Sequence, residues 1–213
     1  MKRKIAFLAA LAVLLLVLGA CNKDGDTSAE TTVTEKISEP MDISSLDLSL
    51  YIKLGEYKNI EISLNSDTSR GDAVWKKVLE GAEVIQYPEA QVKYYFEGAV
   101  AQYEYLAKKG NNSYENVISE LGVTEEMMME EARELTKEDL VLHALIKAEN
   151  ITLTDEDKQN NFERYAKKFV EDYGYGEEYV RENMSKQIYD TMLFDKTIEK
   201  LITMNTFVET QGD

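Results

Sequence analysis

The sequence predicts a mostly α-helical fold, with long antiparallel helical hairpins forming a body with projecting arms and one or two short strands ahead of them. Three observations predict it. Apolar residues recur at helical spacing from Asp72 almost to the C-terminus. The chain has two prolines and none after Pro88, so no ring interrupts a helix beyond that point. The long periodic segments are joined by short, glycine-containing turns, which favour antiparallel neighbours.

The first twenty residues, MKRKIAFLAALAVLLLVLGA, read as a secretion signal. Lys2, Arg3 and Lys4 supply the positive start, and Ile5 to Leu18 is unbroken apolar sequence. That run is short for a spanning helix, which needs roughly 20 apolar residues. Leu18-Gly19-Ala20-Cys21 resembles the bacterial lipobox. The resemblance implies that Cys21 becomes the first mature residue and carries a diacylglycerol thioether. Each buried methylene of such a lipid contributes about 0.8 kcal/mol, so two or more chains anchor stably where one does not. Cys21 is the only cysteine, which excludes an intramolecular disulfide and a thiolate zinc cluster. The expected location is the extracytoplasmic side of a bacterial cell envelope, lipid-anchored on the outer face of the cell membrane.

Charge narrows the partners. The 24 Lys+Arg and 40 Asp+Glu give a net charge of −16. Losing residues 1–20 removes three positive charges and leaves −19. A surface of that sign repels nucleic acid and anionic headgroups, so attachment rests on the acyl chains and no nucleic-acid partner is expected.

The organisation follows in order. Residues 21–47 are polar and lack aromatics, and read as a disordered tether. About 24 flexible residues give it a span of roughly 25–30 Å. Residues 48–71 hold LSLYIKLGEYKNIEISL, an alternating pattern of one or two short strands, and the turn SDTSRGD. The helical domain spans 72–208, and 209–213 is a disordered tail. Together the strands and helices make about 165 residues, enough for one domain.

Within that domain, Ala73 to Leu79 is a short helix ending near Gly81, and Glu83 to Tyr87 an extended link. Pro88 opens a helix to Lys109 with Gly110 as its cap; Val92, Phe96, Ala99, Tyr103 and Leu106 form its stripe. Ser113 caps a helix to Leu121 before Gly122. Thr124 caps another over 125–149, with Met128, Ala132, Leu135, Leu142 and Ile146 on one side. Thr154-Asp155-Glu156-Asp157 has the shape of a capping box with Asp in place of Glu. The helix it opens carries Phe162, Tyr165, Ala166, Phe169 and Tyr173. After Gly174-Tyr175-Gly176, one last helix spans Glu177 to Thr203 with Val180, Met184, Ile188, Met192, Ile198 and Ile202 inward.

No pattern marks an enzyme. His143, the single histidine, sits mid-helix and reads as the margin of a packed face. One His and no spare Cys draw no metal site, and no calcium loop, phosphate loop, dinucleotide fingerprint or nucleophile elbow occurs. Glu130-Glu131 and Glu177-Glu178 read as solvated faces. No cofactor and no small-molecule substrate are expected.

Two features point to binding. Met127-Met128-Met129 fan over roughly 200° of a helix, so they share no narrow buried face. Either at least one is exposed and adapts to apolar partners, or all three fill a wide core. On the helix after Pro88, Tyr95 sits beside the apolar stripe while Tyr94 and Tyr105 point elsewhere. With Tyr103 they either line a groove whose hydroxyls stay wet, or form core edge and helix contacts. Tyr94, Tyr95, Tyr103, Tyr105, Met127, Met128 and Met129 are therefore the candidate substrate-binding residues.

Three stretches carry a likeness over about residues 72 to 208 and the strand before them. VWKKVLEGAEVIQYPEAQVKYYFEGAVAQYEYLAKKG, EEARELTKEDLVLHALIKAENITLTDED and LGEYKNIEI together resemble the C-terminal substrate-binding domain of the trigger factor family and its linker strand. The resemblance implies a helical cradle, related to that of SurA-like and PrsA-like exported foldases, which holds unfolded segments weakly and without ATP. Only the linker 65–71 stands where the family carries its isomerase domain, so no prolyl isomerase activity is expected; a signal and lipid anchor stand in place of ribosome docking. The implied partners are unfolded or newly exported polypeptides. A module dedicated to one envelope partner and a foldase with residual isomerase activity are the alternatives.

Overall fold

Four helix starts among the described residues are built by short polar side chains that capture backbone amides, and three of them, at Ser113, Thr124 and Thr154, are where the sequence places them. The structure is a computed structural model that describes residues 38–209. The signal peptide, Cys21, the tether up to residue 37 and residues 210–213 lie outside the described residues.

Seven α-helices occur among the described residues: α1 Arg70–Gly81, α2 Glu89–Lys109, α3 Tyr114–Leu121, α4 Glu125–Glu149, α5 Asp155–Tyr173, α6 Glu177–Asn183 and α7 Ser185–Met204. Four short strands accompany them: β1 Ile52–Lys53, β2 Glu61–Leu64, β3 Glu83–Val84 and β4 Thr206–Glu209. The fold is mostly α, as the sequence predicts. Ser69, Ser113 and Thr124 accept the amides of Asp72, Asn116 and Met127 at 3.1, 3.2 and 3.2 Å. Thr154 and Asp157 form the reciprocal box, at 3.0 Å and 2.8 Å. Helix ends use left-handed residues: Gly122 and Gly174 after α3 and α5, Asn150 after α4. After α2 that conformation is taken by Asn111 and not by Gly110, whose φ is −84°.

The chain divides into two compact units where one domain is expected from length. The first holds the described residues of Met1–Leu46 together with Tyr87–Glu138; the second holds Asp47–Gln86 and the described residues of Asp139–Asp213. Helix α4 contributes residues to both.

In the second unit β1 pairs antiparallel with β3, Ile52 opposite Val84. Gly55 sits so close to Gly81 that a Cβ on it would lie 2.3 Å from the Gly81 carbonyl oxygen, which only glycine permits. Strand β2 pairs in parallel with β4, Ile62 opposite Phe207. The core is carried by α1, the C-terminal part of α4, α5, α6 and α7. Trp75 meets Phe194 edge-to-face at 5.2 Å, and Val74, Leu140, Leu145, Val180, Met184 and Ile188 are buried. Tyr165 of α5 donates to Asp195 of α7 at 2.7 Å. The side chain of Tyr173 lies outside the described residues.

Three expectations are corrected. Residues 38–47, expected as disordered tether, are ordered: Ile43–Ser45 form a 3-10 turn capped by Asp42, and Ile43 is buried. The last helix is two helices, broken at Met184 (φ −113°, ψ 16°). There Asn183 and Ser185 turn their side chains onto the carbonyls of Tyr179 and Arg181, while Met184 stays in the core. Finally, β4 reaches Glu209, the residue at which the tail was expected to begin.

Asp157 couples the α5 cap to α7. Its carboxylate meets Lys196 Nζ at 2.6 Å, and Lys196 also donates to the Thr152 carbonyl at 2.9 Å. Lys196, and then the Thr154 cap, hold the Asp157 carboxyl near 2, below its ordinary 3.8. The ionised form is the stabilising one, so this contribution is complete above about pH 4 and is lost as pH falls toward 2. Thermal melts followed from pH 6 to pH 2 should show a steeper loss below pH 4 in the native chain than in Asp157→Asn.

Candidate functional site

The candidate binding residues all fall in the first unit, on α2 and the N-terminal half of α4. Helix α2 buries Val92 of the predicted stripe and leaves its other members half-buried or exposed. Its buried positions are Gln91, Val92, Tyr95, Gly98, Ala101 and Ala107. The reading by size favours Phe96, Tyr103 and Leu106, but the helix turns its small residues inward. Phe96 and Tyr103 are half-buried and Leu106 is 40% exposed.

Val92 and Tyr95 of α2 share a buried cluster with Ala132 and Leu135 of α4. Tyr87, Tyr94, Phe96 and Met129 pack against it, only partly covered. Tyr94 and Tyr95 are neighbours, with ring centroids 5.4 Å apart. The methionine fan resolves into three environments: Met127 is 52% exposed, Met128 is 1% exposed and Met129 is half-buried. Tyr114 of α3 points its hydroxyl at the Met128 sulfur, 3.9 Å away. Met128 and Tyr95 are thus packing side chains, which takes them out of the contact surface. Tyr94, Tyr103, Tyr105, Met127 and Met129 keep accessible area.

Two contributors were missed by sequence reasoning. Leu106 was assigned to the packed stripe, and Leu121, 58% exposed, was read only as the last residue of α3. Helix α3 has apolar residues Tyr114, Val117, Ile118 and Leu121 yet buries none of them fully. The signal available for Leu121 was its place directly before Gly122, where a helix ends and cover runs out.

Acidic side chains frame this surface. Burial raises the Tyr103 phenol, with Glu131 adding to it; burial raises Tyr114 too, with Glu125, Glu104 and Glu115 nearby. These phenols stay protonated and serve as hydrogen-bond donors beside apolar area. Among the described residues no group of three or more His, Cys, Asp or Glu side chains could hold a metal ion, and no helix is long and apolar enough to cross a membrane. His143 is half-buried in α4.

The model of the bacterial trigger factor protein C-terminus matches residues 61–203. The chain belongs to that family. Trigger factor of Caldicellulosiruptor saccharolyticus is 28% identical over 155 residues, covering 67% of this chain and 34% of the relative. Trigger factor of Clostridioides difficile is 26% identical over 146 residues, with the same two shares. The chain therefore spans about a third of the length of the curated relatives it matches. No solved structure matches it. The trigger factor segment takes in α1 to α6 and all but the last residue of α7, and so the whole aromatic and methionine surface; residues 38–60 lie outside it.

The burial pattern sets a contrast. Met128→Ala should lower stability by about 2–4 kcal/mol, as expected for a fully packed methionine, whereas Met127→Ser should leave the urea midpoint within error. Equal effects of the two substitutions would contradict the orientation of the fan.

Proposed function

We propose that the protein is a membrane-anchored extracytoplasmic chaperone, a holdase that binds unfolded or newly exported polypeptides weakly and without ATP. The observation that carries the reading is the exposure of Leu106, Leu121 and Met127 in one unit of a trigger factor C-terminal chain. Unbranched and flexible apolar side chains accept varied apolar partners, and modest contact area gives fast release. Half-buried Tyr94, Tyr103 and Tyr105 add rings that keep part of their area accessible. The glutamates around them keep copies of the chaperone apart. The proposed action is passive, with no catalytic residue, cofactor or isomerase step. Attachment is through lipid on Cys21, which places the helices on the outer face of the cell membrane where exported chains emerge.

Light scattering of a chemically unfolded client tests the binding. The purified protein at equimolar concentration should slow aggregation, and Leu106→Ser, Leu121→Ser and Met127→Ser combined should remove most of the effect at unchanged melting temperature. No slowing by the native chain with several clients would sink the chaperone reading. Retention of a single stoichiometric partner on affinity capture would favour a dedicated interaction module.

Anchoring is tested separately. Cys21→Ser should move the protein from the membrane fraction to the soluble fraction of fractionated cells, and an unchanged distribution would overturn lipidation.

A further inference from the structure

The segment that precedes the trigger factor match is seated on α2 by main-chain amides. Glu97 Oε2 accepts both the Ser38 N–H and the Ser38 hydroxyl at 2.7 Å. Gln91 Oε1 accepts the Met41 N–H at 2.9 Å, and Gln91 is only 3% exposed. Glu97 Oε1 faces Lys93 Nζ at 3.6 Å, on the side away from Ser38's partner oxygen. Residues 38–42 are neither helical nor strand-paired, and Ile43 follows, 3% exposed.

The spacing fits an extended peptide. Three residues of extended chain, Ser38 to Met41, reach about 10 Å. Six residues of helix, Gln91 to Glu97, rise about 9 Å. The segment thus runs along α2 in the opposite direction, its amides meeting acceptors one helix stretch apart. Pro40 helps, because it holds Glu39 extended and offers no N–H that would need a partner. Nothing in these contacts except the Ser38 hydroxyl depends on side-chain identity. A polypeptide in the polyproline II form, with three residues per turn, presents N–H groups at positions i and i+3 on one side.

We propose that residues 38–43 are an intramolecular strap occupying a polypeptide-binding site on α2, whose acceptors are Gln91 Oε1 and Glu97 Oε2, and that the strap competes there with extended client segments. The competition rests on the chaperone reading; the site itself does not. Being tethered, the strap acts at an effective concentration in the millimolar range, so a weak contact suffices to keep the site mostly filled. A client then binds only the fraction of molecules whose strap has lifted. Segments carrying a Ser or Thr opposite Glu97 and an apolar residue five positions on reproduce the strap's own pattern of Ser38 and Ile43.

The test uses the full chain and two probes. Reduced, carboxymethylated α-lactalbumin, labelled for fluorescence anisotropy, stands for a client; a labelled synthetic peptide of residues 38–46 stands for the strap. Ser38→Pro with Met41→Pro removes all three strap donors, the Ser38 N–H and hydroxyl and the Met41 N–H, and leaves α2 intact. This variant should bind the client about threefold or more tightly, as when a site filled two-thirds of the time is freed. It should also bind the peptide, and excess peptide should return client affinity toward the native value. Glu97→Ala lifts the strap but deletes an acceptor, so it should not tighten client binding; melting curves confirm that both variants fold. Native client affinity in the strap variant would overturn the competition. Failure of the peptide to bind that variant would overturn the site. Loss of client binding in every version, with the peptide still seated, would sink the chaperone reading and the competition while sustaining the site.

Discussion

One amide side chain closes the second unit. Asn205 Oδ1 accepts the Ile60 N–H at 3.0 Å, while its Nδ2 donates to the Tyr57 and Leu201 carbonyls at 3.0 and 2.8 Å. Around it the Thr206 N–H reaches the Ile60 carbonyl and the Asn59 N–H reaches the Met204 carbonyl. These bonds join residues 57–60 to residues 201–206, about 145 residues apart in sequence. The entropy of closing so long a loop grows only with the logarithm of its length, so a few well-placed bonds and a short strand pair can hold it. The pairing of β2 with β4 is parallel, which no tight turn can supply; the intervening helices are the crossover. With these segments joined, α1 is laid against α7 and β2, and Trp75 finds Phe194. The same junction holds the end of α4: Glu149 takes Tyr57 at 2.7 Å and Lys58 at 2.6 Å, and Lys58 and Tyr57 lower its carboxyl.

Local chemistry was legible and long-range chemistry was not. Ser113, Thr124 and Thr154 announce their helices because a cap is a contact between residues three apart, whereas Ser69 was read as turn and its helix begins at Arg70, three residues ahead of the expected Ala73. The Thr154–Asp157 box forms even with Asp, whose shorter side chain still reaches the cap amide. By contrast β4 pairs with residues far upstream, and the TFVE sequence carries no local reason to stop being helix other than Asn205. The break at Met184 hides in the same way. An apolar residue at helical spacing reads as continuity, yet its neighbours Asn183 and Ser185 both prefer carbonyls of the preceding turn.

The surface was half legible for a geometric reason. Periodicity finds a stripe by weighting large side chains, and on α2 half of the inward positions are small: Gly98, Ala101 and Ala107. The buried face is consequently set by how closely neighbours approach, which the sequence of one helix does not contain. The methionine run escaped this difficulty, since three successive residues on any helix must diverge by about 100° each. That divergence left two readings open, one Met exposed or all three in a wide core, and the structure takes the first, with Met127 exposed and Met128 buried.

An exposed apolar surface invites self-association, and the chain meets this by dispersing the surface and charging its frame. Leu106, Leu121 and Met127 stand on three different helices, and Glu104, Glu115 and Glu125 lie near Tyr114. A net charge of −16 repels other copies at long range, while a neutral or basic unfolded segment is not repelled. The strap adds short-range protection of a different kind. Burial raises the Glu97 carboxyl, but the Ser38 hydrogen bonds and Lys93 together lower it, so the acceptor stays ionised and is best satisfied by N–H and O–H donors. An ionised acceptor left empty in a partly buried place is costly, and the chain's own residues 38 and 41 fill the site until a better-placed polypeptide does so. In the proposed holdase, weak affinity for clients is a property of the closed molecule as much as of the apolar contacts, and it lets one surface hold a chain and release it.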